Sequence, residues 1–248
     1  MTSINAFVAC RLGSTRVKFK NLLLLNNKPL FTYLIDNSLN SRKINSLFIN
    51  SDSEIILDVA RSIYKNKILY YLRDPNLGTS KTALDDYVYD FMIKFPSDIT
   101  VFLNPCSLFL KGKTIDNALN YFINNNLDSC CASQLAQTHC FYKNKAINFK
   151  SDYRQPRSQD LTPIHCMTSG FFIWRNKTFL NHYENSKAAN FCGKFESYGI
   201  SDFESIDIDT KEDLEIASRF LSSKGKHFSY KYHKSVEELI KKGLIRSN

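Results

Sequence analysis

Residues 6–21 hold the side chains of this chain best suited to chemistry. An apolar run, residues 6–10, breaks into the small turn Gly13-Ser14-Thr15, bracketed by Arg11 and Arg16 and followed by Lys18, Lys20 and Asn21. A buried strand that ends in a glycine turn and a cluster of cations suits a polyphosphate. Glycine lets the backbone approach closely, free N–H groups bind oxygen anions, and cationic side chains neutralise them. The plainer alternative is a solvated basic loop behind an edge strand. A second set lies far along the chain, in Ser205-Ile206-Asp207-Ile208-Asp209-Thr210. Alternating apolar and acidic residues on an extended segment put both carboxylates on one face. Here the alternative is an exposed strand face ahead of a helix. A basic loop and paired carboxylates are together what a metal–nucleotide complex requires. Magnesium takes one or two carboxylates plus phosphate oxygens, while arginine and lysine hold the remaining phosphate charge.

The elements that must position these groups alternate between strand and helix. The patterns predict strands over residues 6–10, 44–49, 68–72, 100–103, 128–133 and 168–174. They predict helices over residues 28–39 with Pro29 in the first turn, after Ser53 as cap, over 83–95, from a Thr114 cap to 125, and from 210 to 221. Thr210 and Asp213 form a variant capping box with Asp in the place of Glu or Gln. A strand at 228–232 and a last helix capped by Ser235 complete the reading. Such alternation predicts an α/β, mostly parallel sheet with helices on both faces, in one unit spanning residues 1–248. The polar residues 139–165 read as an arm or hairpin leaving that sheet. In parallel sheets ligands bind beyond the carboxyl ends of the strands. Arg11 to Asn21, Asp52, Arg73, Asn104 to Ser107, Asp207 and Asp209 should therefore share one rim.

Composition narrows the classes. The 248 residues are 43% hydrophobic and 13% aromatic, enough for a substantial core. No apolar window is long enough to predict a membrane span, and residues 1–5 do not resemble a leader. Seven cysteines without CxxC spacing suit reduced thiols, so a cytoplasmic location is expected. The net charge of +9 admits nucleic acid or an anionic small molecule. Without an RNP motif, zinc-finger spacing or long basic helix, nucleic acid is not the expected partner. His139-Cys140 and His165-Cys166 lack closed zinc-site spacing, and no GxSxG marks a serine nucleophile.

Arg11-Leu-Gly-Ser-Thr-Arg16 with Lys20-Asn21 resembles the R-x-G-S-x-R/G-x-x-x-K-N signature of the sugar-acid cytidylyltransferases, the CMP-sialic acid (acylneuraminate) synthetases and their relatives. The likeness runs on through Asn27-Lys28-Pro29-Leu30 (G-K-P-L), Leu72-Arg73 (L-R-P), Asn104-Pro105-Cys106-Ser107 (Q-P-T-S), Arg157-Ser158-Gln159-Asp160-Leu161 (R-x-Q-D-L) and Ile206-Asp207-Ile208-Asp209 (I-D-I-D). It covers residues 5 to 220. The resemblance implies a Rossmann-like nucleotidyltransferase that joins CMP from CTP to an acidic sugar and releases pyrophosphate. It implies that Arg11, Leu12, Gly13, Ser14 and Lys20 hold the triphosphate, Lys20 near the α-phosphate, and that Asn21 and Arg73 meet the cytidine. Asp207 and Asp209 would bind magnesium, and Lys20, Arg11 and Asp209 would carry catalysis. Asn104, Arg157 and Gln159 would bind the acceptor, near an arm that in relatives packs against a second subunit, so a homodimer is expected. Where relatives read Q-P-T-S-P-L-R, this chain reads Asn-Pro-Cys-Ser-Leu-Phe-Leu over residues 104–110, with Lys111 the nearest cation. That departure leaves the identity of the acid acceptor open. An NTP:sugar-1-phosphate transferase and a silent nucleotide-binding relative are the competing readings.

Overall fold

The computed structural model describes residues 2–14, 16–223 and 241–243. The expected strand at 228–232 and helix after Ser235 lie outside the described residues. Among the described residues, eleven strands and six α-helices follow one another. The strands are β1 (Ile4–Cys10), β2 (Leu24–Leu25), β3 (Lys28–Pro29), β4 (Ser46–Ser51), β5 (Leu69–Leu72), β6 (Ile99–Leu103), β7 (Ser129–Ala136), β8 (Phe141–Tyr142), β9 (Lys145–Ala146), β10 (Ile164–Arg175) and β11 (Phe195–Ile200). The helices are α1 (Leu30–Ser38), α2 (Glu54–Tyr64), α3 (Leu84–Lys94), α4 (Gly112–Asn124), α5 (Asn176–Ser186) and α6 (Lys211–Ser222). Seven strands form one sheet in the order β11-β7-β10-β6-β1-β4-β5. β1 runs parallel to β4 and β6, β4 to β5, and β7 to β11, whereas β10 is antiparallel to both its neighbours. The sheet is therefore mixed and mostly parallel, as its alternating elements predict.

β1 shows why the site sits where it does. Its period of two sends Ala6, Val8 and Cys10 into one core with α1, α2 and α4. Phe7 points the other way, into an aromatic core with Phe91 of α3 and Phe179 of α5. Buried on both faces, the strand is held rigid, and its carboxyl end delivers Arg11 to the rim. A third core joins Leu108 and Phe109, from the turn after β6, to Ala217 of α6 and to Ile208. That core fixes the segment carrying the two aspartates.

Several local expectations change. Residues 28–29 pair as a ribbon with Leu24–Leu25, so α1 begins at Leu30 and Pro29 is its cap rather than part of its first turn. Ser53 precedes α2 without a side-chain capping bond. Thr114 lies inside α4, and its hydroxyl donates to Glu204 Oε1 at 2.7 Å. The same oxygen accepts the Lys111 N–H at 3.0 Å, so a carboxylate from a distant turn caps this helix. α5 and β11 carry no clear period in the sequence, and both are present. The arm leaves after β7, turns at Lys143 and Asn144, both left-handed, and re-enters as β10.

Candidate active site

A cleft of about 570 Å³ opens at the carboxyl ends of β1, β5 and β6. Its walls bring together Arg11, Ser14, Lys20, Asn21, Arg73, Asn104, Asp207 and Asp209. Residues more than a hundred positions apart thus converge, as the shared rim predicts. Leu12 serves from behind: its N–H donates to Asp52 Oδ1 at 3.1 Å and anchors the loop to the end of β4. A Cβ built at Gly13 would meet nothing within 4 Å, so the protein's own packing does not demand a glycine there. Arg157 and Gln159 are not brought into the cleft. Both are exposed on the arm, where the Arg157 guanidinium grips Asp160 through Nε at 2.7 Å and Nη2 at 3.0 Å.

The two aspartates reach the cleft because the isoleucines beside them are pulled out of it. Ile208 is fully buried, and its N–H donates to the Cys106 carbonyl at 3.1 Å. The segment is irregular rather than a strand, but the apolar–acidic alternation still faces both carboxylates one way. α6 begins immediately behind. Thr210 accepts from the Asp213 N–H at 3.2 Å, while Asp213 accepts from the N–H groups of Thr210 at 2.8 Å and Asp209 at 2.9 Å. The capping box expected from the sequence therefore also fixes the backbone of Asp209.

Asp207 sits among donors. Asn104 Nδ2 reaches it at 3.2 Å, Ser107 Oγ approaches at 3.5 Å, and Ser169 Oγ donates to it. Burial raises the Asp207 pKa, and the Asp209 charge pushes the same way against the Ser169 bond and Lys20. Asn104 also donates to Ser169 at 2.9 Å. Ser169 gains this position from a break in the β10–β7 register between Met167 and Phe172, where an irregularity re-aims side chains.

Asp209 faces the cations. Its Oδ1 lies 3.1 Å from Lys20 Nζ and 2.8 Å from Arg16 Nη2. Lys20, with 11% of its side chain exposed, also donates to the Ile208 carbonyl. Burial disfavours its ammonium, yet the Cys106 sulfur and the Asp209 carboxylate leave its pKa above the ordinary value. Burial in turn pushes the Cys106 thiol up to about 11, so it is a neutral wall at pH 7. Asn21, 4% exposed, donates to the Arg11 carbonyl at 3.0 Å, and its own Oδ1 has no partner among the described residues. Arg16, marked in the sequence by its place in the basic loop, lines the cleft, as do Ser169, whose Thr168-Ser169-Gly170 segment resembles the family's N/S-G, and Tyr87. The position of Ser169 depends on a register break, and Tyr87 is the one the sequence reading missed, since a tyrosine on a helix reads as core.

Comparison with known proteins places this geometry. The profile described as Cytidylyltransferase matches residues 6–237. The pseudaminic acid cytidylyltransferase of Campylobacter jejuni subsp. jejuni serotype O:23/36 (strain 81-176) is 27% identical over 223 residues, covering 85% of this chain and 92% of that protein. The CMP-N,N'-diacetyllegionaminic acid synthase of Legionella pneumophila is 26% identical over 238 residues, covering 88% and 96%. Among solved structures, CMP:2-keto-3-deoxy-manno-octonic acid synthetase complexed with CTP superposes with a TM-score of 0.69 at 12% identity, covering 90% of this chain and 99% of that one. At such identity the superposition speaks for the fold. The matched profile spans both the strand that opens the cleft and the aspartates that close it, and the chain belongs to the cytidylyltransferase family.

Proposed function

We propose that the cleft transfers CMP from CTP to a carboxylated, nonulosonic-type sugar and releases pyrophosphate. One observation carries this reading: Lys20 and Arg16 converge on Asp209 in a cleft whose loop resembles the signature of the sugar-acid cytidylyltransferases. The named relatives act on acids of that sugar class. In the reaction an acceptor hydroxyl forms an O–P bond at the α-phosphorus while the bond to the β-phosphate oxygen breaks. Charge gathers on the leaving pyrophosphate, and the ammonium of Lys20 and the guanidinium groups of Arg11 and Arg16 neutralise it from positions fixed before the reaction. The N–H groups of the loop hold the triphosphate in line.

Asp207 and Asp209 fit a resident magnesium ion. Their oxygens are the hard donors it takes, and a bound divalent cation would offset the burial and mutual repulsion that raise Asp207. When bound, magnesium supplies charge stabilisation at the phosphates. The arm supports a homodimer in the same reading. It exposes Phe141, Tyr142 and Tyr153, and Arg157 and Gln159, which do not line their own cleft, would serve an acceptor by reaching the cleft of a second copy.

Pyrophosphate release, measured with CTP and magnesium over a panel of ulosonic acids, tests the reading. We expect turnover with at least one carboxylated sugar and none with its neutral analogue. A preference for UTP or dTTP with a sugar 1-phosphate would overturn it. Sedimentation of the full chain tests the dimer.

A further inference from the structure

The two aspartates of the cleft are held in different ways. Asp209 meets Lys20 and Arg16, whereas Asp207 forms no ion pair among the described residues. Neutral donors hold Asp207 instead, and they concentrate on one oxygen. Its Oδ2 accepts from Asn104 Nδ2 at 3.2 Å and from the Ser169 hydroxyl. Asn104 Nδ2 also donates to Ser169 Oγ at 2.9 Å, which closes a triangle of hydrogen bonds that polarise one another. Asp207 Oδ1 is left with Asn104 at 3.4 Å and Ser107 at 3.5 Å, both longer than a well-formed bond.

The bracket is rigid because Asn104 is itself fixed at both ends. Its backbone N–H donates to the Gly170 carbonyl at 3.1 Å, beside Ser169 on β10, and its Oδ1 accepts from the Cys106 N–H at 3.2 Å. The Cys106 carbonyl takes the Ile208 N–H, so one turn fixes both the backbone beside Asp207 and its carboxylate. An amide nitrogen carries two hydrogens, and Asp207 and Ser169 account for both. No donor of that side chain is left for a sugar, which sets Asn104 apart from the acceptor role that the family resemblance implies. A carboxylate held through one oxygen by neutral donors keeps its charge and presents the other oxygen in a fixed direction. We propose that Asn104 and Ser169 are positioning residues that hold Asp207 through Oδ2 and leave Oδ1 for a divalent cation. The proposal rests on the magnesium reading above.

Titration of Mn²⁺ into the full chain with saturating CTP and no acceptor, followed by water-proton relaxation, tests it. Wild type is expected to form a ternary complex whose relaxation enhancement exceeds that of Mn²⁺ with CTP alone. In Asn104→Ala and Ser169→Ala the Kd for Mn²⁺ should rise at least tenfold, within the roughly 10–100-fold lost when the partners of a metal-binding side chain are removed. Ser169→Thr keeps the hydroxyl and should stay within threefold of wild type. The Kd for CTP without metal, from calorimetry with a chelator, should stay within threefold in every variant. Should Asn104→Ala fail to fold, the two Ser169 variants decide by the same criterion. A smaller rise in Ser169→Ala or in folded Asn104→Ala overturns the proposal, since a residue that meets only the acceptor leaves an acceptor-free measurement unmoved. So does a Ser169→Thr variant as weak as Ser169→Ala, or a parallel loss of metal-free CTP binding, which marks a merely structural role. A wild type that forms no ternary complex overturns the magnesium reading itself, and the proposal with it.

Discussion

Two arginines, Arg73 at the rim of the sheet and Arg157 on the arm, are built in opposite ways. Arg73 is almost wholly buried, held by neutral groups, and keeps a donor unmet. Arg157 has 73% of its side chain exposed, and a carboxylate three residues away occupies two of its nitrogens. The same contrast runs through their regions. Around the cleft, charges from β1, β5 and the 207–209 segment are fixed by the cores beneath them. On the arm, polar groups satisfy one another locally, as in His139 with the Pro156 carbonyl. A site that handles phosphate charge needs donors fixed before the substrate arrives. The arm, by contrast, leaves its polar groups satisfied within itself.

The largest effect that would sharpen this contrast is at Lys20. Lys20→Ala removes a cation set against Asp209, and we expect pyrophosphate release to fall on the order of 10²–10³-fold with the fold intact. Circular dichroism together with the rate assay checks it. A loss below tenfold would mean that the rim cations do not act at the reacting phosphate.

Asp207→Asn separates function from stability. Because burial raises the Asp207 pKa, the folded chain binds more protons than the unfolded one between the ordinary aspartate value and the raised one. Stability from this group therefore falls as pH rises through that window. We expect the ligand-free Asp207→Asn variant to melt higher than wild type at pH 7.5, with the gain shrinking toward pH 4, while activity drops as far as for Lys20→Ala. Melting curves over this range check the sign.

A smaller effect is expected at Gly78. A Cβ there would stand 2.1 Å from Asp52 Oδ2, and Asp52 holds the Leu12 N–H. Gly78→Ala should push Asp52 away, loosen the phosphate loop and raise the KM for CTP roughly tenfold, the cost of one charge-assisted bond. The KM for the acceptor should stay within twofold, which steady-state kinetics will show.

How much of this was legible in the sequence depends on whether a residue's role is local. The all-apolar run of β1, the turn after it and the Ile-Asp-Ile-Asp alternation each declare themselves within a few residues, and each predicts its face. α5 buries little beyond Phe179 and Tyr183, and β11 is an edge strand that is mostly half-buried, so neither has a strong period. Thr114 looks like a cap because of its neighbours, yet Glu204, ninety residues on, takes that work. The contacts of Asn50 and Tyr87 with Arg73, and of Ser169 with Asp207, exist only once strands are paired, since each joins side chains from different elements.

Arg157→Ala tests the arm side of the contrast and should do least to the isolated chain. An exposed ion pair three residues apart contributes no more than about 1 kcal/mol, so the melting temperature should barely move. The KM for CTP should also be unchanged, because the cleft contains no part of the arm. If the arm reaches a second copy, the KM for the acid acceptor alone should rise, and Arg157→Lys should restore it only in part, since an ammonium lacks the planar fork that grips a carboxylate. Mixing Arg157→Ala chains with chains carrying Lys20→Ala then separates the sites. One dimer half would pair an intact cleft with an intact partner arm, and activity should return to about a quarter of wild type at equal mixing with free exchange. Activity no greater than the sum of the two separate variants would assign Arg157 to its own chain and remove the arm from the acceptor site.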